Sequence, residues 1–197
     1  MAEDRASTAH SAESIIAESI VDLLRADDAE VAALFERCAA AEKSGSPAVV
    51  RDRLLGRICE TLSIQRLAEE EVLYPAIRAV DDKLVFAFLL GGLGISMRIS
   101  EIRDPGKPRA TRDASVVRLT ELVRRNMLER SQILFPFVRS RLSQTQMAWL
   151  GDDYQQRKSR LWTANAAPAP REVARKAAPI PLWRKRAPQG GDVLHPQ

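Results

Sequence analysis

A chain of 197 residues, 45% hydrophobic and 28% charged, can bury one ordinary core or at most two small ones. The formal net charge of +4 suggests nucleic acid only until it is divided along the chain. Residues 164–197 hold six basic and two acidic side chains, which leaves 24 of each sign in 1–163, so the excess belongs to the C-terminal end.

Apolar residues recur at intervals of three and four rather than alternating, which predicts an all-α fold. Residues 1–12 read as a polar leader. Ile15, Ile16, Ile20, Val21 and Leu24 predict a short helix over 14–25, and Asp27, with Glu30 three residues on, has the capping-box spacing that starts a new helix over 28–42. Lys43 to Pro47 form the next turn, with Ser46 as N-cap and Pro47 opening a helix over 47–80. A helix over 82–103 stops before Asp104-Pro105-Gly106-Lys107-Pro108, a segment that cannot stay helical. One over 112–141 follows. Ser143 then caps an amphipathic helix over 144–162, expected to lie against the others through Met147, Leu150 and Tyr154. From Ala164 onward the Pro- and Gly-rich sequence predicts a flexible tail. The expected organisation is a leader at 1–12, a helical domain at 13–163 and a tail at 164–197.

Cys38 and Cys59 flank the 44–47 turn at unequal distances, an axial offset of roughly 13 Å that keeps them apart. The N-terminus has no apolar signal core, and no apolar run reads as long enough to span a bilayer. The expectation is a reduced, cytoplasmic protein.

One segment occurs twice. Val72-Leu73-Tyr74-Pro75-Ala76-Ile77-Arg78 is echoed 61 residues later by Ile133-Leu134-Phe135-Pro136-Phe137-Val138-Arg139. The same offset brings Gln65 into register with Asn126, and Glu69 with Arg130.

Aligned by apolar periodicity, each long helix carries an interruption on its inward face. The faces read Leu24, Asp28, Val31, Phe35, Cys38; Ile58, Leu62, Gln65, Glu69, Val72, Ala76; Val85, Phe88, Gly92, Ile95, Ile99, Ile102; and Leu119, Leu122, Asn126, Arg130, Ile133, Phe137. Polar groups in a core are costly unless paired, so these interruptions predict one shared internal layer of Asp28, Gln65, Glu69, Asn126 and Arg130, with Gly92 leaving space. The Gly91-Gly92-Leu93-Gly94 cluster lacks the strand and Gly-Lys-Ser/Thr of a phosphate loop and implies a kink, a close helix approach or a small cavity. Of Glu69-Glu70-Glu71, only one can face inward.

Over residues 15–160 the chain resembles the haemerythrin-like, or HHE cation-binding, family. The resemblance rests on Leu23-Leu24-Arg25-Ala26-Asp27-Asp28 in place of an Asp-His, Gln65-Arg66-Leu67-Ala68-Glu69-Glu70-Glu71 in place of a His-x-x-x-Glu, the Tyr74-Pro75 and Phe135-Pro136 pairs, and Leu142-Ser143 opening the final helix. It implies an antiparallel up-down four-helix bundle, here with a short N-terminal helix and a fifth C-terminal one, around a di-iron site that binds or senses oxygen. Carried over position by position, Asp28, Gln65, Gly92 and Asn126 occupy histidine places, and Arg130 falls at or next to a carboxylate place. Only Glu69 keeps a family ligand.

Iron in such a site needs imidazole nitrogens, yet the chain's histidines are His10, in the leader, and His195, in the tail. An arginine at a ligand position also places a permanent positive charge where a cation should sit. The expected function is therefore a non-catalytic binding or regulatory module with a degenerate site, no cofactor and an unknown protein partner. In it, Arg130 serves as counter-charge to Glu69 and Asp28. One alternative is a retained site of oxygen ligands for magnesium, calcium or manganese, with a sensing or storage role. A second is binding of nucleic acid or an anionic membrane by Trp183, Arg184, Lys185 and Arg186. Within the expected fold neither serine nor cysteine has a histidine near it to support nucleophilic catalysis.

Overall fold

Ser19 begins the first helix by accepting a hydrogen bond from the Asp22 amide at 3.3 Å while its hydroxyl donates to the Asp22 carboxylate. The computed structural model describes residues 18–166, all of whose regular elements are helical. They are α1 (Ile20–Lys43), α2 (Ala48–Ala68), a π-helical turn (Glu69–Leu73), α3 (Tyr74–Arg78), α4 (Asp82–Arg103), α5 (Arg109–Glu129), a second π-helical turn (Arg130–Leu134), α6 (Phe135–Arg141) and α7 (Gln144–Ala166). The leader, the start of the predicted 14–25 helix, nearly all of the tail and both histidines lie outside the described residues.

Four predicted boundaries need correction, the first being the start of α5, which opens at Arg109 directly after Pro108 rather than at 112. There is no break at Asp27: α1 runs through it without interruption, because Leu23, Leu24, Val31 and Leu34 keep one continuous buried face and the Asp27 side chain is itself buried rather than free to cap. Ser46 is not the N-cap of α2 either. Gly45, with φ +65°, ends α1 in a Schellman motif, in which the Ser46 amide donates to Ala41 O and the Gly45 amide to Glu42 O. That geometry turns the Ser46 hydroxyl toward Ser44, and Pro47 takes the cap position without a side-chain bond. At the other end, α7 continues beyond the predicted 162, to Ala166. Its N-terminus keeps the predicted Ser143 cap, which the structure completes as a capping box: Ser143 Oγ accepts from the Gln146 amide at 3.2 Å, and Gln146 Oε1 accepts from the Ser143 amide at 2.9 Å.

The two π turns are separated by the same 61 residues as the sequence repeat, and each ends just before its Tyr-Pro or Phe-Pro pair. A proline inside a helix collides with the carbonyl four residues back. Here the preceding turn opens by one residue, so the Tyr74 and Phe135 amides donate to the carbonyls of Glu69 and Arg130, five residues back. The extra residue shifts the inward register. Leu73 and Leu134 are fully buried, whereas Ile133, predicted inward from an uninterrupted 3.6-residue period, is 50% exposed.

α4 packs most extensively along α5 and α1 along α2, while α7 lies across α1, α2 and the first π turn. The apolar core forms two clusters. One gathers the N-terminal ends of α1 and α4 with α3, α6 and α7, including Leu24, Leu73, Val85, Phe135 and Tyr154. The other gathers the C-terminal ends of α1 and α4 with α2 and α5, including Val31, Ile58, Ile95, Leu119 and Val123. On α1, Asp27 and Asp28 fall between residues of the two clusters; so do Gln65 on α2 and Gly92 on α4. Cys38 and Cys59 are both free thiols. Contrary to the reading of the sequence, α4 is long and apolar enough to cross a bilayer, because charges are confined to its ends.

Gly151 lets α7 approach the start of α1. A Cβ there would overlap the carbonyl oxygen of Glu18 and press on Ile20 N and Leu23 Cδ1, each at 3.3 Å. Backbone cannot step aside as a flexible side chain would. Gly151→Ala should therefore destabilise the protein by about 2–3 kcal/mol in denaturant unfolding. Gly56→Ala, at an α2 position with open space around it, should be stabilising by about 0.5–1 kcal/mol. Equal effects of the two substitutions would show that the α1–α7 contact is loose.

Candidate functional site

Glu69 and Arg130 are each the first residue of a π turn, and their side chains meet. Arg130 Nη1 lies 3.0 Å from Glu69 Oε1 and 3.2 Å from Asp28 Oδ1, with both the Arg130 and the Glu69 side chain only 6% exposed. The second oxygen of Glu69 accepts from Tyr74 OH at 3.1 Å. The Phe135 ring lies 5.8 Å from the guanidinium carbon, within cation–π range. Both carboxylates thus converge on one guanidinium nitrogen, while Nε and Nη2, on the other edge, are buried without a protein partner among the described residues.

A second pair adjoins the first. Asp27 Oδ2 accepts from Tyr154 OH at 2.6 Å, and Asp27 Oδ1 forms an ion pair with Lys158. Gln65 Nε2 reaches the backbone oxygen of Asp27 at 3.4 Å. Tyr154 and Lys158 stand four apart on α7 and so share a face, which brings both to the same carboxylate.

Fully ionised, Asp27, Asp28 and Glu69 carry three negative charges against the two positive charges of Arg130 and Lys158. The excess is reflected in the titration of the layer. Burial lifts the Asp28 carboxyl to about 6 against the pull of Arg130, with Glu69 and Asp27 adding to the rise. Burial likewise raises Glu69, opposed by Arg130 and the Tyr74 hydroxyl. Burial works against the Arg130 cation, but Glu69 and Asp28 outweigh it and hold the guanidinium charged. Burial pushes both tyrosine hydroxyls well above their ordinary range, with Glu69 reinforcing it, so they remain donors.

Of the predicted layer, Asp28 and Glu69 each contact Arg130 directly, and Gln65 lies alongside. Asn126 and Gly92 do not belong to it. Asn126 is half-buried in a cleft of about 470 Å³ between α4 and α5, where its Nδ2 stands 3.6 Å from the point a Cβ of Gly91 would occupy. Gly92 makes room for Arg66, whose Cδ would lie 3.2 Å from a Cβ there. Arg66 in turn pairs with Glu70, and the exposed Glu71 accepts from Arg157 Nη2 at 2.7 Å, leaving Glu69 as the inward member of that run. Reading the sequence missed Asp27, assigned as a cap, and Lys158, while Tyr154 was expected only to pack. The Tyr154–Lys158 spacing on one face was the available signal. Trp183, Arg184, Lys185 and Arg186 lie outside the described residues.

The donor set does not fit a di-iron centre. The described residues include no histidine, no three metal-ligating side chains among them converge on a point, and the two carboxylates at the centre are already held by a cation. Comparison with protein-family models, curated proteins and solved structures gives no match.

Arg130→Met should cost about 3–5 kcal/mol, the penalty for leaving buried carboxylates without their counter-charge. Arg130→Met with Glu69→Leu should recover about 1–3 kcal/mol of it in a double-mutant cycle. Purely additive effects would mean that the two groups do not interact. For pH, a carboxyl raised in the fold keeps its proton longer folded than unfolded, so its contribution is most favourable below about pH 4 and is lost as pH rises through about 6. Between about pH 5 and pH 7.5 the wild type should lose about 1–1.5 kcal/mol relative to Asp28→Asn, measured by urea unfolding at each pH. Parallel pH profiles for the two proteins would contradict this.

Proposed function

We propose that this chain is a divergent haemerythrin-like domain, an antiparallel up-down four-helix bundle with α7 as an added fifth helix. In place of the metal centre it carries an ion-pair layer, and it serves as a non-catalytic binding or regulatory module for a protein partner. The observation that carries this reading is the position of Arg130. It stands 61 residues after Glu69, at the repeat mate of the one family ligand the sequence keeps, and its guanidinium lies between Glu69 and Asp28 where a cation would otherwise be needed. The paired π turns support a common origin for the two halves.

On this reading the layer fixes the relative register of the helices and does no chemistry. Its carboxylates are engaged by Arg130 and Lys158, and its tyrosines stay protonated. Asp28 and Glu69 would also be central to an oxygen-ligand site for magnesium, calcium or manganese, and both are engaged by Arg130. The free thiols of Cys38 and Cys59 suit a reducing, cytoplasmic setting.

Elemental analysis of natively purified protein should find no stoichiometric iron, and its visible spectrum should lack charge-transfer bands. Millimolar magnesium, calcium or manganese should leave the melting temperature unchanged, since an ion that binds only the folded state must raise it. Stoichiometric iron, or a clear upward shift with any of the three ions, would overturn the degenerate-site reading.

A further inference from the structure

Helix α4 presents a second apolar face. Phe86, Leu90, Leu93 and Met97 are 60%, 53%, 55% and 51% exposed, on the side of the helix opposite Val85, Phe88, Ile95 and Ile99, which enter the core. Their spacing of four, three and four residues is that of a coiled-coil seam. No charged residue occurs from 84 to 97. Such a stripe amounts to roughly 400 Å² of apolar surface, at the level where a patch on a lone chain marks an interaction site.

We propose that this face is a self-association surface on which a second copy of the chain packs antiparallel, α4 against α4. The spacing reads the same from either end, so a two-fold axis crossing the helix between Gly91 and Gly92 sets Phe86 over Met97 of the second copy and Leu90 over Leu93. Every apolar residue of the stripe finds an apolar mate. The same axis sets Lys83 over Ser100 of the second copy, one residue from Glu101 and on the same side of the seam, while Asp82, level with Glu101, falls on the other side and pairs with Arg78. Lys83 is exposed and has no ion pair among the described residues, while the contacts of Glu101 to Arg98 and Ser115 both use Oε2 and leave Oε1 open. A parallel pairing would instead set Lys83 against Lys83 and Glu101 against Glu101. Charge complementarity therefore selects the antiparallel arrangement.

The cleft between α4 and α5 opens beside the stripe at Ala87 and Leu90 and offers a hole for the flexible Met97 of the second copy. Insertion of α4 into a membrane would be a poor use of this helix, since its other face holds Val85 and Phe88 in one core cluster and Ile95 and Ile99 in the other.

Sedimentation velocity on the full chain tests the proposal. A reversible dimer is expected, with a Kd of roughly 1–50 μM, in the range of a small interface. Leu90→Glu with Leu93→Glu should sediment as a monomer while keeping the helical circular dichroism of the wild type. Mixed Phe86→Cys and Met97→Cys chains should form a disulfide-linked dimer on mild oxidation, and Met97→Cys alone should not. A wild type that stays monomeric at about 500 μM, roughly tenfold above the weak end of that range, overturns the proposal. So does a double glutamate variant that still dimerises. Self-linking by Met97→Cys alone overturns the antiparallel register, and a monomeric chain that floats with vesicles of anionic phospholipid assigns the stripe to a lipid surface instead.

Discussion

The contact of Arg130 Nη1 with both Glu69 and Asp28 is the constraint around which the rest of the structure is arranged. A guanidinium brought out of water costs several kcal/mol, and so does each carboxylate, so the three are tolerable in the core only together. Their mutual attraction is position-dependent in a way that apolar packing is not. Leucines can slide past one another, but a carboxylate displaced by one helical turn loses its partner and keeps its desolvation penalty. The layer thus acts as a registration device between the two apolar clusters, tying α1 to the start of each π turn.

The π turns explain how the layer is reached. Pro75 and Pro136 disturb the ladder of an otherwise continuous helix, and the chain absorbs this by inserting one residue before each. Glu69 and Arg130 lie at the first position of those insertions, and Leu73 and Leu134 are rotated inward beyond them. One local device, used twice, places opposite charges in the same interior volume.

A second tether comes from α7, which closes over α1 and α2. Tyr154 and Lys158 hold Asp27 from above, Arg157 holds Glu71, and Gly151 permits the close approach that brings them within reach. Polar anchoring is therefore concentrated on the α1, α2 and α7 side of the molecule. α4 has the opposite character, with an outer face that is apolar and without charge over its middle turns. That asymmetry separates a face committed to internal architecture from one free to meet another molecule.

The sequence by itself determined the helical class, the places of most helices, the 61-residue repeat and the inward position of Asp28, Glu69 and Arg130, because periodicity and spacing are local properties written in residue order. It misplaced Ile133, because a 3.6-residue period cannot register an inserted residue until the backbone is seen. Asn126 and Gly92 were drawn into the layer by position on a helix face alone. Which neighbour stands opposite that face, the α4–α5 cleft for one and Arg66 for the other, depends on how helices distant in sequence lie together. Asp27 read as a cap because its local spacing permits one. Only the arrival of α7, more than a hundred residues later, converts it into a buried acceptor for Tyr154 and Lys158, and a pairing across that separation leaves no periodic trace in the chain.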